Sequence, residues 1–404
     1  MISGPTIAAD SIPELSEDLQ LEYLAEGGAN IVYRIFLPPS APCAKETILQ
    51  PSEVEYYGNA TPPPTEVEDH DLMTADIDGD ADFDLGITIT SGKLLRLRKN
   101  VRFGMPYRET ANDFHSTIQP LFAPEELVDQ SLVRVPPSLI QRCNEKLRDS
   151  ERAEYPKRRP VIRHGVYLAT DEPLGMLITD MTNTPTKHPT TPPKKTMTVT
   201  ELKPKWLVQS PSAPPTAKRC RTCALRDMKA ADNASVYLNA HTNRIQSSLG
   251  KAPFCPLDLI SNNEQDIQRT IVNIFARHRP YPNQIRIIAR RLYRHPTLLK
   301  LLSLQRLHNK VGLHGPPSGS REMSLSMTLR DCSIFLKLPT SDVEETDLEM
   351  GTIDLRLGDL DLKSAANGKA EYWLDIENRL IDEGWYMGQQ ASQDRTKGEC
   401  VLSR

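Results

Sequence analysis

Apolar and polar positions alternate over short runs in the first half of the chain. Leu21–Leu24 and Ile31–Phe36 are apolar runs separated by turn-forming residues, a pattern typical of a β-hairpin. Lys93–Lys99 alternates apolar and basic side chains, which predicts a strand with one exposed face. Further strands are predicted at Val161–Leu168, Leu174–Met181 and Met197–Leu202.

Helical spacing is typical of most other segments. Apolar residues recur every three or four positions, which predicts amphipathic helices. The predicted helices cover 109–118, 124–130, 137–152, 263–277, 284–293, 296–307 and 370–382. Alternation returns at Ser324–Leu338 and Thr352–Leu362, where we expect two late strands. Strands first, helices in the middle and strands again indicate an α+β chain with two lobes.

Composition shifts divide the predicted lobes. We expect an N-lobe at 1–180, a C-lobe at 181–386 and a disordered polar tail at 387–404. The N-lobe carries a Pro-rich, acidic insertion at about 37–92, and a Pro/Thr-rich linker follows the N-lobe at 182–196. Within the insertion, residues 64–84 hold nine acidic side chains and no Lys or Arg. An alternating acidic run at 76–84 lacks the glycine of a calcium loop, so we interpret it as an acidic loop.

The overall composition is that of a soluble globular protein. The 404 residues are 38% hydrophobic and 25% charged. No apolar run approaches the roughly 20 residues that span a bilayer, so we expect no membrane partner. The N-terminus lacks a secretory signal pattern, and seven scattered cysteines are typical of reduced thiols. We therefore expect an intracellular protein.

One strongly basic segment stands out at 277–310, with nine Lys or Arg residues and no acid. It has amphipathic helical spacing, so it can be a solvated helix face or can face an anionic partner. The net charge is only −4, and the segment has no regular aromatic interleaving that supports a base-stacking platform. A nucleic-acid partner is therefore not expected.

Small residues at Gly27, Gly28, Ala29 and Asn30 connect the first two predicted strands. Backbone N–H groups in such a loop can approach and cradle a phosphate. An ordinary hairpin turn is the alternative. The loop has neither the Walker pattern nor the protein-kinase glycine pattern.

Charged side chains cluster at the ends of later strands. Lys203 and Lys205 flank a proline after a strand and suit two phosphates of one ligand, or else they are a solvated strand end. Asp359 and Lys363 are predicted to share a strand face with Asp361, where carboxylates can bind Mg²⁺ or form an exposed edge. Asp331 interrupts an apolar run, which suggests either a proton acceptor or a carboxylate salt-bridged to a nearby arginine.

Two other motifs gave weaker predictions. The run Lys157-Arg158-Arg159 is interpreted as a solvated basic turn, although with Arg163 it adds cationic groups. Cys220 and Cys223 form a single CxxC pair without a second pair or an HxxxH pattern. A zinc site needs four ligands, so the sequence does not favour one.

Four separated segments, in order, resemble the inositol-pentakisphosphate 2-kinase family in a form like that of its fungal members. They are EGGAN (26–30), ELKPK (201–205), RDCSI (330–334) and DLDLK (359–363). Weaker matches are GKLLRLRK (92–99), RPVIRHG (159–165) and CPLDL (255–259). The matched region runs from residue 22 to about 386, with poorly matched sequence between the motifs.

The resemblance implies a two-lobed α+β inositol polyphosphate kinase fold, with an antiparallel-sheet N-lobe and a mixed C-lobe carrying a helical substrate region. It implies transfer of the γ-phosphate of ATP to the 2-hydroxyl of inositol 1,3,4,5,6-pentakisphosphate, giving inositol hexakisphosphate (phytate), with Mg²⁺ as cofactor. ATP and inositol pentakisphosphate are the expected partners of a monomer in the nucleus or cytoplasm. A non-catalytic inositol-phosphate-binding scaffold is the alternative.

The resemblance also implies roles for particular residues. Asp331 would be the base at the 2-hydroxyl, Lys203 would bridge nucleotide and substrate, and Asp359 would hold Mg²⁺. The residues implied to contact ATP are Gly27, Gly28, Ala29, Asn30, Arg96 and Glu201. The residues implied to contact substrate are Arg163, Lys205, Lys363, Lys369 and Tyr372.

The chain also departs from the family pattern. Cys223 stands where the family has a substrate-region histidine, and Lys369 is a loose match because two residues intrude after Lys363. The CxxC-and-histidine zinc cluster of plant members has no counterpart, so zinc is doubtful on this pattern.

Overall fold

The computed structural model contains two compact units, Met1–Thr200 and Glu201–Arg404. It describes residues 12–36, 89–102, 104–152, 159–181, 197–239, 253–276, 282–309, 311–315, 319–339, 353–363, 369–388 and 400–404. The acidic run at 64–84, the linker at 182–196 and the pair Lys157-Arg158 lie outside the described residues. The predicted lobe limits at 180 and 386 stay predictions.

An antiparallel five-stranded sheet forms the centre of the first unit. Its strand order is β1-β2-β3-β5-β4. The strands are β1 (Gln20–Glu26), β2 (Asn30–Phe36), β3 (Lys93–Arg98), β4 (Gln130–Arg134) and β5 (Leu174–Thr179). Tight pairing of Glu26 with Ile31 closes the β1–β2 hairpin around residues 27–30. The predicted hairpin is therefore present, with a small-residue turn.

Helices cover both faces of this sheet. Helix α2 (Pro137–Arg152) packs Leu139, Cys143 and Leu147 against Leu95 and Leu97 of β3. Helix α1 (Tyr107–Asp113), which continues as a π-helical turn, packs on the opposite face against Leu132, Leu174 and Met176. The regular apolar spacing of residues 137–152 is why α2 was predicted with these bounds.

The strand predicted at 93–99 is present as β3, but the prediction that one of its faces is exposed is wrong. Leu94 through Leu97 are all buried, because α1 covers the face that carries Arg96. Lys99 is fully buried as well. A basic side chain in an alternating strand looks solvent-facing in sequence, but burial is possible when carboxylates or aromatic rings cover the charge.

Two other predictions for this unit need correction. The strand predicted at 161–168 is a 3₁₀ turn, Val161–Arg163, with Val161 and Ile162 exposed at 65% and 68%. Pro160 and Gly165, which has a φ of 76°, turn the chain there. The helix predicted at 124–130 is a short 3₁₀ turn, Pro124–Glu126, ahead of β4.

The second unit combines a small sheet with helices. The sheet has the order β6-β7-β8 and is formed by β6 (Met197–Leu202), whose last two residues belong to this unit, β7 (Ser333–Pro339) and β8 (Asp354–Gly358). Its helices are α3 (Arg221–Asn239), α4 (Glu264–Ile274), α5 (Pro282–Leu292), α6 (Pro296–Leu307), α7 (Arg321–Asp331) and α8 (Lys369–Asp382). Helix α3 was not predicted from the sequence, because its buried apolar positions, such as Ala224 and Met228, are sparse.

The strand predicted over Ser324–Leu338 is helix α7 followed by β7. Residues 323–330 are all buried, so polar and apolar side chains alternate without marking an exposed face. The polar groups are satisfied internally, as where Thr328 Oγ1 donates to the Ser324 carbonyl at 2.8 Å. The Ser320 hydroxyl caps the helix by accepting from the Met323 N–H, the local signal that favours a helix.

Strand β8 ends at Gly358, so the prediction that Asp359, Asp361 and Lys363 share one strand face is wrong. The predicted α+β class with antiparallel sheets is confirmed. Among the described residues, no helix has both the length and the apolar character needed to cross a membrane.

The predicted disordered tail is wrong for its last five residues. Val401–Ser403 form a 3₁₀ turn, and both Nη atoms of Arg404 contact acidic side chains of the second unit. The isolated CxxC pair is also a wrong prediction. Cys255 and Cys400 join Cys220 and Cys223 in one buried group. Sequence spacing could not reveal partners that lie far away along the chain.

Candidate functional site

Two lysines after β6 reach the same carboxylate in the second unit. The Nζ atoms of Lys203 and Lys205 lie 3.9 Å and 2.6 Å from Oδ1 of Asp331. Lys203 also donates to the backbone carbonyl of Asp331 at 2.8 Å. The predicted pair of ammonium groups is therefore present at one site.

Asp331 is the last residue of α7. A carboxylate is unfavourable there, because the C-terminal end of a helix carries partial negative charge. The ammonium groups of Lys203, Lys205 and Lys363 all lie within 4 Å of its carboxylate and offset that cost. The predicted alternatives for Asp331 were a proton acceptor and a carboxylate paired to an arginine. Its partners are lysines, whereas Arg330 donates to backbone carbonyls of His308, Ser326 and Gln305.

Asp359 and Lys363 complete the group from the loop after β8. Oδ2 of Asp359 accepts from Lys203 Nζ at 2.6 Å, and Oδ1 lies 3.5 Å from Lys363 Nζ. The second carboxylate oxygen of Asp331 lies 3.7 Å from Lys363 Nζ. Three ammonium groups and two carboxylates thus form one network, called the lysine–aspartate network below.

The network shifts the pKa values of Asp331 and Lys363. Burial raises the pKa of Asp331, but the ammonium groups of Lys205, Lys363 and Lys203 outweigh it and hold that pKa below its ordinary value. Burial lowers the pKa of Lys363, but the carboxylates of Asp359 and Asp331 outweigh it and raise that pKa. Asp331 is therefore ionised and Lys363 protonated at neutral pH.

Backbone strain occurs at two members of the network. Lys205 and Asp359 have φ values of 55° and 50°, in the left-handed region that non-glycine residues rarely adopt. Such conformations cost about 1 kcal/mol or more each and cluster at functional sites. In these conformations the Lys205 side chain reaches Asp331 and the Asp359 side chain reaches Lys203.

Buried polar side chains that the sequence analysis missed position these segments. Gln305 of α6 donates through Nε2 to the carbonyls of Lys205 (2.9 Å) and Leu329 (2.8 Å), and its Oε1 accepts from the Leu207 N–H. The hydroxyl of Thr328 accepts from the Lys363 N–H at 2.8 Å. Gln305 falls on the same helix face as buried Leu298, Leu301 and Leu302, so the helical period is the signal that could have identified it.

The small-residue loop at 27–30 lies in the first unit. Gly27 donates its N–H to the Asn30 carbonyl at 2.9 Å, and Gly28 and Ala29 are exposed. A Cβ at Gly27 or Gly28 would meet no atom within 4 Å, and neither residue has a positive φ. Nothing within the described part of the unit requires glycine there, whereas close approach of a ligand to the backbone would.

A buried ion-pair group anchors the loop. Arg159 Nε and Nη2 donate to the Glu26 carboxylate at 2.8 Å and 3.1 Å, and Lys99 Nζ donates to Glu26 and to the Gly27 carbonyl. All three side chains are almost fully buried. The prediction of a solvated basic turn is therefore wrong for Arg159, which fixes the start of the loop.

The remaining predicted ATP and substrate residues have varied environments. Arg96 lies below the Tyr107 ring, 5.5 Å from its centroid, and Tyr107 donates its hydroxyl to Asn30 Oδ1. Arg163 is half-buried in its 3₁₀ turn. Glu201 is buried and accepts from the Ser333 hydroxyl at 2.6 Å.

Two predicted substrate residues belong to α8. Lys369 begins that helix, and Tyr372 follows in its first turn with an exposed side chain. Among the described contacts, Tyr372 is not part of the lysine–aspartate network.

The network provides positive charge for anionic groups and carboxylate oxygens for a hard cation. Both carboxylates are about one-third exposed, so a ligand can reach them. These groups suit phosphoryl transfer, which depends on positioning and charge neutralisation more than on covalent chemistry with the protein.

Comparison with known proteins gives the same family that the motifs suggested. One curated relative is an inositol-pentakisphosphate 2-kinase of Yarrowia lipolytica (strain CLIB 122 / E 150), 28% identical over 193 residues. That alignment covers 46% of this chain and 53% of the relative, so the chain matches about half the relative's length. The family model described as inositol-pentakisphosphate 2-kinase matches residues 23–315 and 318–379, a region that contains the loop at 27–30 and the whole network. The chain therefore belongs to the inositol-pentakisphosphate 2-kinase family.

Proposed function

We propose that this chain transfers the γ-phosphate of ATP to the 2-hydroxyl of inositol 1,3,4,5,6-pentakisphosphate, giving inositol hexakisphosphate. The observation that supports it most is the convergence of Lys203, Lys205 and Lys363 on the carboxylates of Asp331 and Asp359. Membership of the family gives the reaction its specific substrate.

The substrate's charge explains the need for several lysines. A pentakisphosphate carries phosphate groups around its whole ring, and each needs cationic or hydrogen-bonding partners. Lys205 and Lys363 bind substrate phosphates in this proposal, and Lys203 contacts phosphates of both the nucleotide and the substrate. Arg163 is proposed as a further substrate contact because it lies in the matched segment RPVIRHG (159–165). Lys369, a loose match, and Tyr372 are proposed as substrate contacts on the family resemblance.

Asp331 is proposed to accept a hydrogen bond from the 2-hydroxyl of the substrate. Its lowered pKa keeps the carboxylate ionised, and so able to accept that hydrogen bond. A polyanionic substrate would compete for the ammonium groups of Lys205 and Lys363. That competition would raise the pKa of Asp331 and make it a better proton acceptor as the hydroxyl attacks.

Asp359 is proposed as the magnesium ligand. Its carboxylate is partly exposed and lies 2.6 Å from Lys203 Nζ, and carboxylate oxygens are the donors that Mg²⁺ prefers. The donor set therefore fits a hard divalent cation. Bound Mg²⁺ would neutralise charge on the phosphate oxygens during transfer.

The ATP phosphates are proposed to bind the loop of Gly27, Gly28, Ala29 and Asn30, in which Gly28 and Ala29 are exposed, with Arg96 as a nearby cation. Neighbouring atoms leave room for a side chain at residues 27 and 28, so packing does not explain the two glycines, and this supports the role. Glu201 is proposed as the ribose contact on family resemblance, although its carboxylate also bonds Ser333 in the sheet.

The test uses the purified full chain with γ-labelled ATP, Mg²⁺ and inositol pentakisphosphate. We expect labelled inositol hexakisphosphate, with the label on the 2-position by NMR. Asp331→Asn should lower kcat by about 100-fold or more, the usual contribution of a positioned proton acceptor. Asp149→Asn, at an exposed position of α2, is the matched control and should retain wild-type turnover.

A second variant separates the metal role. Asp359→Asn should raise the Mg²⁺ concentration that gives half-maximal rate, whereas Asp331→Asn should lower the rate at every Mg²⁺ concentration. Folded wild-type protein that binds inositol pentakisphosphate but forms no product would overturn the kinase proposal and support a binding scaffold.

A further inference from the structure

Four cysteines from three distant segments meet in the second unit. Cys220 and Cys223 lie at the start of α3, Cys255 precedes a 3₁₀ turn at Pro256–Ile260, and Cys400 lies near the C-terminus. Their sulfur atoms all lie within 4.8 Å of one another, and none forms a disulfide. Each residue is at most 3% exposed. We call this group the four-cysteine cluster.

The spacing of the sulfurs fits one tetrahedral metal ion. Cys255 Sγ lies 3.8 Å from the sulfurs of both Cys220 and Cys400. A zinc ion with Zn–S bonds of about 2.3 Å in a tetrahedron has sulfur–sulfur edges of about 3.8 Å. A disulfide would need about 2.0 Å, and a multi-iron cluster would hold its cysteines farther apart around several metal atoms.

The local backbone suits negative charge on these sulfurs. Cys220 Sγ accepts from the N–H of Cys223 at 3.5 Å, and Cys400 Sγ accepts from the N–H of Cys220 at 3.1 Å. Both cysteines of the CxxC pair lie at the N-terminal end of α3, where the helix dipole stabilises thiolates. Hydrogen bonds of this kind orient metal ligands in cysteine-rich sites.

We propose that Cys220, Cys223, Cys255 and Cys400 bind one structural Zn²⁺ ion. All four positions are supplied by protein, which is typical of a structural rather than a catalytic zinc. Binding requires thiolates, so uptake of the ion by the four thiols releases their protons to solvent. This proposal does not depend on the kinase activity.

The zinc would hold the C-terminal residues to the body of the unit. Arg404 makes a second attachment nearby, donating through Nη2 to both oxygens of Asp258, at 2.5 Å and 2.6 Å. The cluster also fixes the start of α3, where Arg221 stacks over Trp206 at 4.4 Å. Trp206 follows Lys205 directly, so the cluster supports the segment that carries the two lysines.

The first experiment measures the metal content of the full chain by inductively coupled plasma mass spectrometry. The protein is purified without chelator or added metal. We expect about one zinc per chain, as in other four-cysteine sites. Replacement by Co²⁺ should give the visible bands of a tetrahedral thiolate complex. The proposal would be overturned if the protein held iron in place of zinc. It would also be overturned if metal-free, reduced protein took up neither zinc nor cobalt.

Variants assign the ligands. Cys400→Ser and Cys255→Ser should lower zinc content well below one per chain and lower the Tm, whereas Cys143→Ser should keep its zinc. Cys143 is a matched control because it is a buried cysteine of α2, in the other unit.

If the cluster variants do not fold, denatured wild-type protein still decides the question. A zinc-sensitive dye should detect released zinc, and all seven cysteines should react with a thiol reagent once zinc is chelated. Fewer reactive thiols would indicate disulfides and contradict the zinc site.

Discussion

The Nζ atom of Lys203 lies 2.6 Å from Oδ2 of Asp359 and 2.8 Å from the backbone carbonyl of Asp331. Its ammonium group therefore joins the segment after β6 to the end of α7 and the loop after β8. This one ammonium group fixes the position of the proposed metal ligand relative to the proposed base. Lys203 is for this reason the residue whose loss should affect turnover most directly.

We expect Lys203→Met to lower kcat by about 100-fold or more, because a charge that stabilises the transferring phosphate is removed. The free energy of unfolding should fall by about 1–3 kcal/mol, because the Lys203 side chain is nearly buried and its loss leaves the Asp331 carbonyl without this donor. Steady-state kinetics and urea unfolding measure the two effects. Lys218→Met, at an exposed position, is the control and should change neither. A large loss of stability with normal kcat would contradict the role of Lys203.

Glu26 at the end of β1 and Gly28 in the loop that follows should behave in opposite ways when replaced. Gly28→Ala should leave stability nearly unchanged, because the added Cβ meets no atom within 4 Å, yet it should raise KM for ATP about tenfold by keeping phosphates away from the backbone. Glu26→Gln should destabilise the protein by about 3–5 kcal/mol, because buried Lys99 and Arg159 lose their carboxylate.

Thermal unfolding and ATP titration of the rate separate these two outcomes. Gly92→Ala is a poor control because Gly92 has a positive φ. Asp149→Asn, at an exposed position of α2, is the control and should change neither stability nor KM for ATP. An unchanged KM for ATP in Gly28→Ala would remove the loop from the proposed nucleotide site.

Much of the site could be predicted because its charges lie where elements end. Lys203, Asp331 and Asp359 each belong to a short charged motif beside an apolar run, and the order of the motifs along the chain identified the family. The α+β class followed from periodicity at long segments such as α2 and α8. Alternation misled at α7, because a helix buried on all sides shows no polar face.

Partners far apart in sequence could not be predicted from spacing. Arg159 looked like part of a solvated basic run until Glu26, 133 positions away, was seen to pair with it. Cys400 belonged to a tail expected to be disordered, yet it lies beside Cys220. In each case a long-range contact decides whether a polar side chain can be buried, and one sequence does not encode that contact locally.

Gln305 should matter for position rather than chemistry. Gln305→Leu removes its bonds to the Lys205 and Leu329 carbonyls and to the Leu207 N–H, and should destabilise the protein by about 1–3 kcal/mol for each buried group left unsatisfied. Because Lys205 is proposed to bind substrate, KM for inositol pentakisphosphate should rise more than kcat falls.

A split between KM and kcat distinguishes this effect from general instability, which would lower the active fraction and kcat alone. Gln268→Leu, a half-buried glutamine of α4, is the matched control and should leave KM unchanged. Equal KM values for wild type and Gln305→Leu at a temperature where both are folded would contradict the positioning role.

The contribution of Lys363 to stability should depend on pH in a defined way. Its pKa is raised in the folded state, because Asp359 and Asp331 outweigh the effect of burial. Stability from a raised lysine pKa is fully present below the unfolded value of about 10.4 and is lost as pH rises through the folded value. The pKa of Asp331 is lowered, so its share is present above about pH 3.9 and is lost as pH falls through the folded value.

The difference in unfolding free energy between wild type and Lys363→Met should therefore be constant from about pH 6 to 9 and shrink above about pH 10.4. The groups that face the Lys363 ammonium are the carboxylates of Asp331 and Asp359, and the Lys203 ammonium contacts the same two carboxylates. Urea unfolding at matched ionic strength measures the difference, with Lys218→Met as the control for loss of one surface charge. A difference that changes steeply between pH 6 and 8 would contradict the assignment, because the raised pKa of Lys363 and the lowered pKa of Asp331 both lie outside that range.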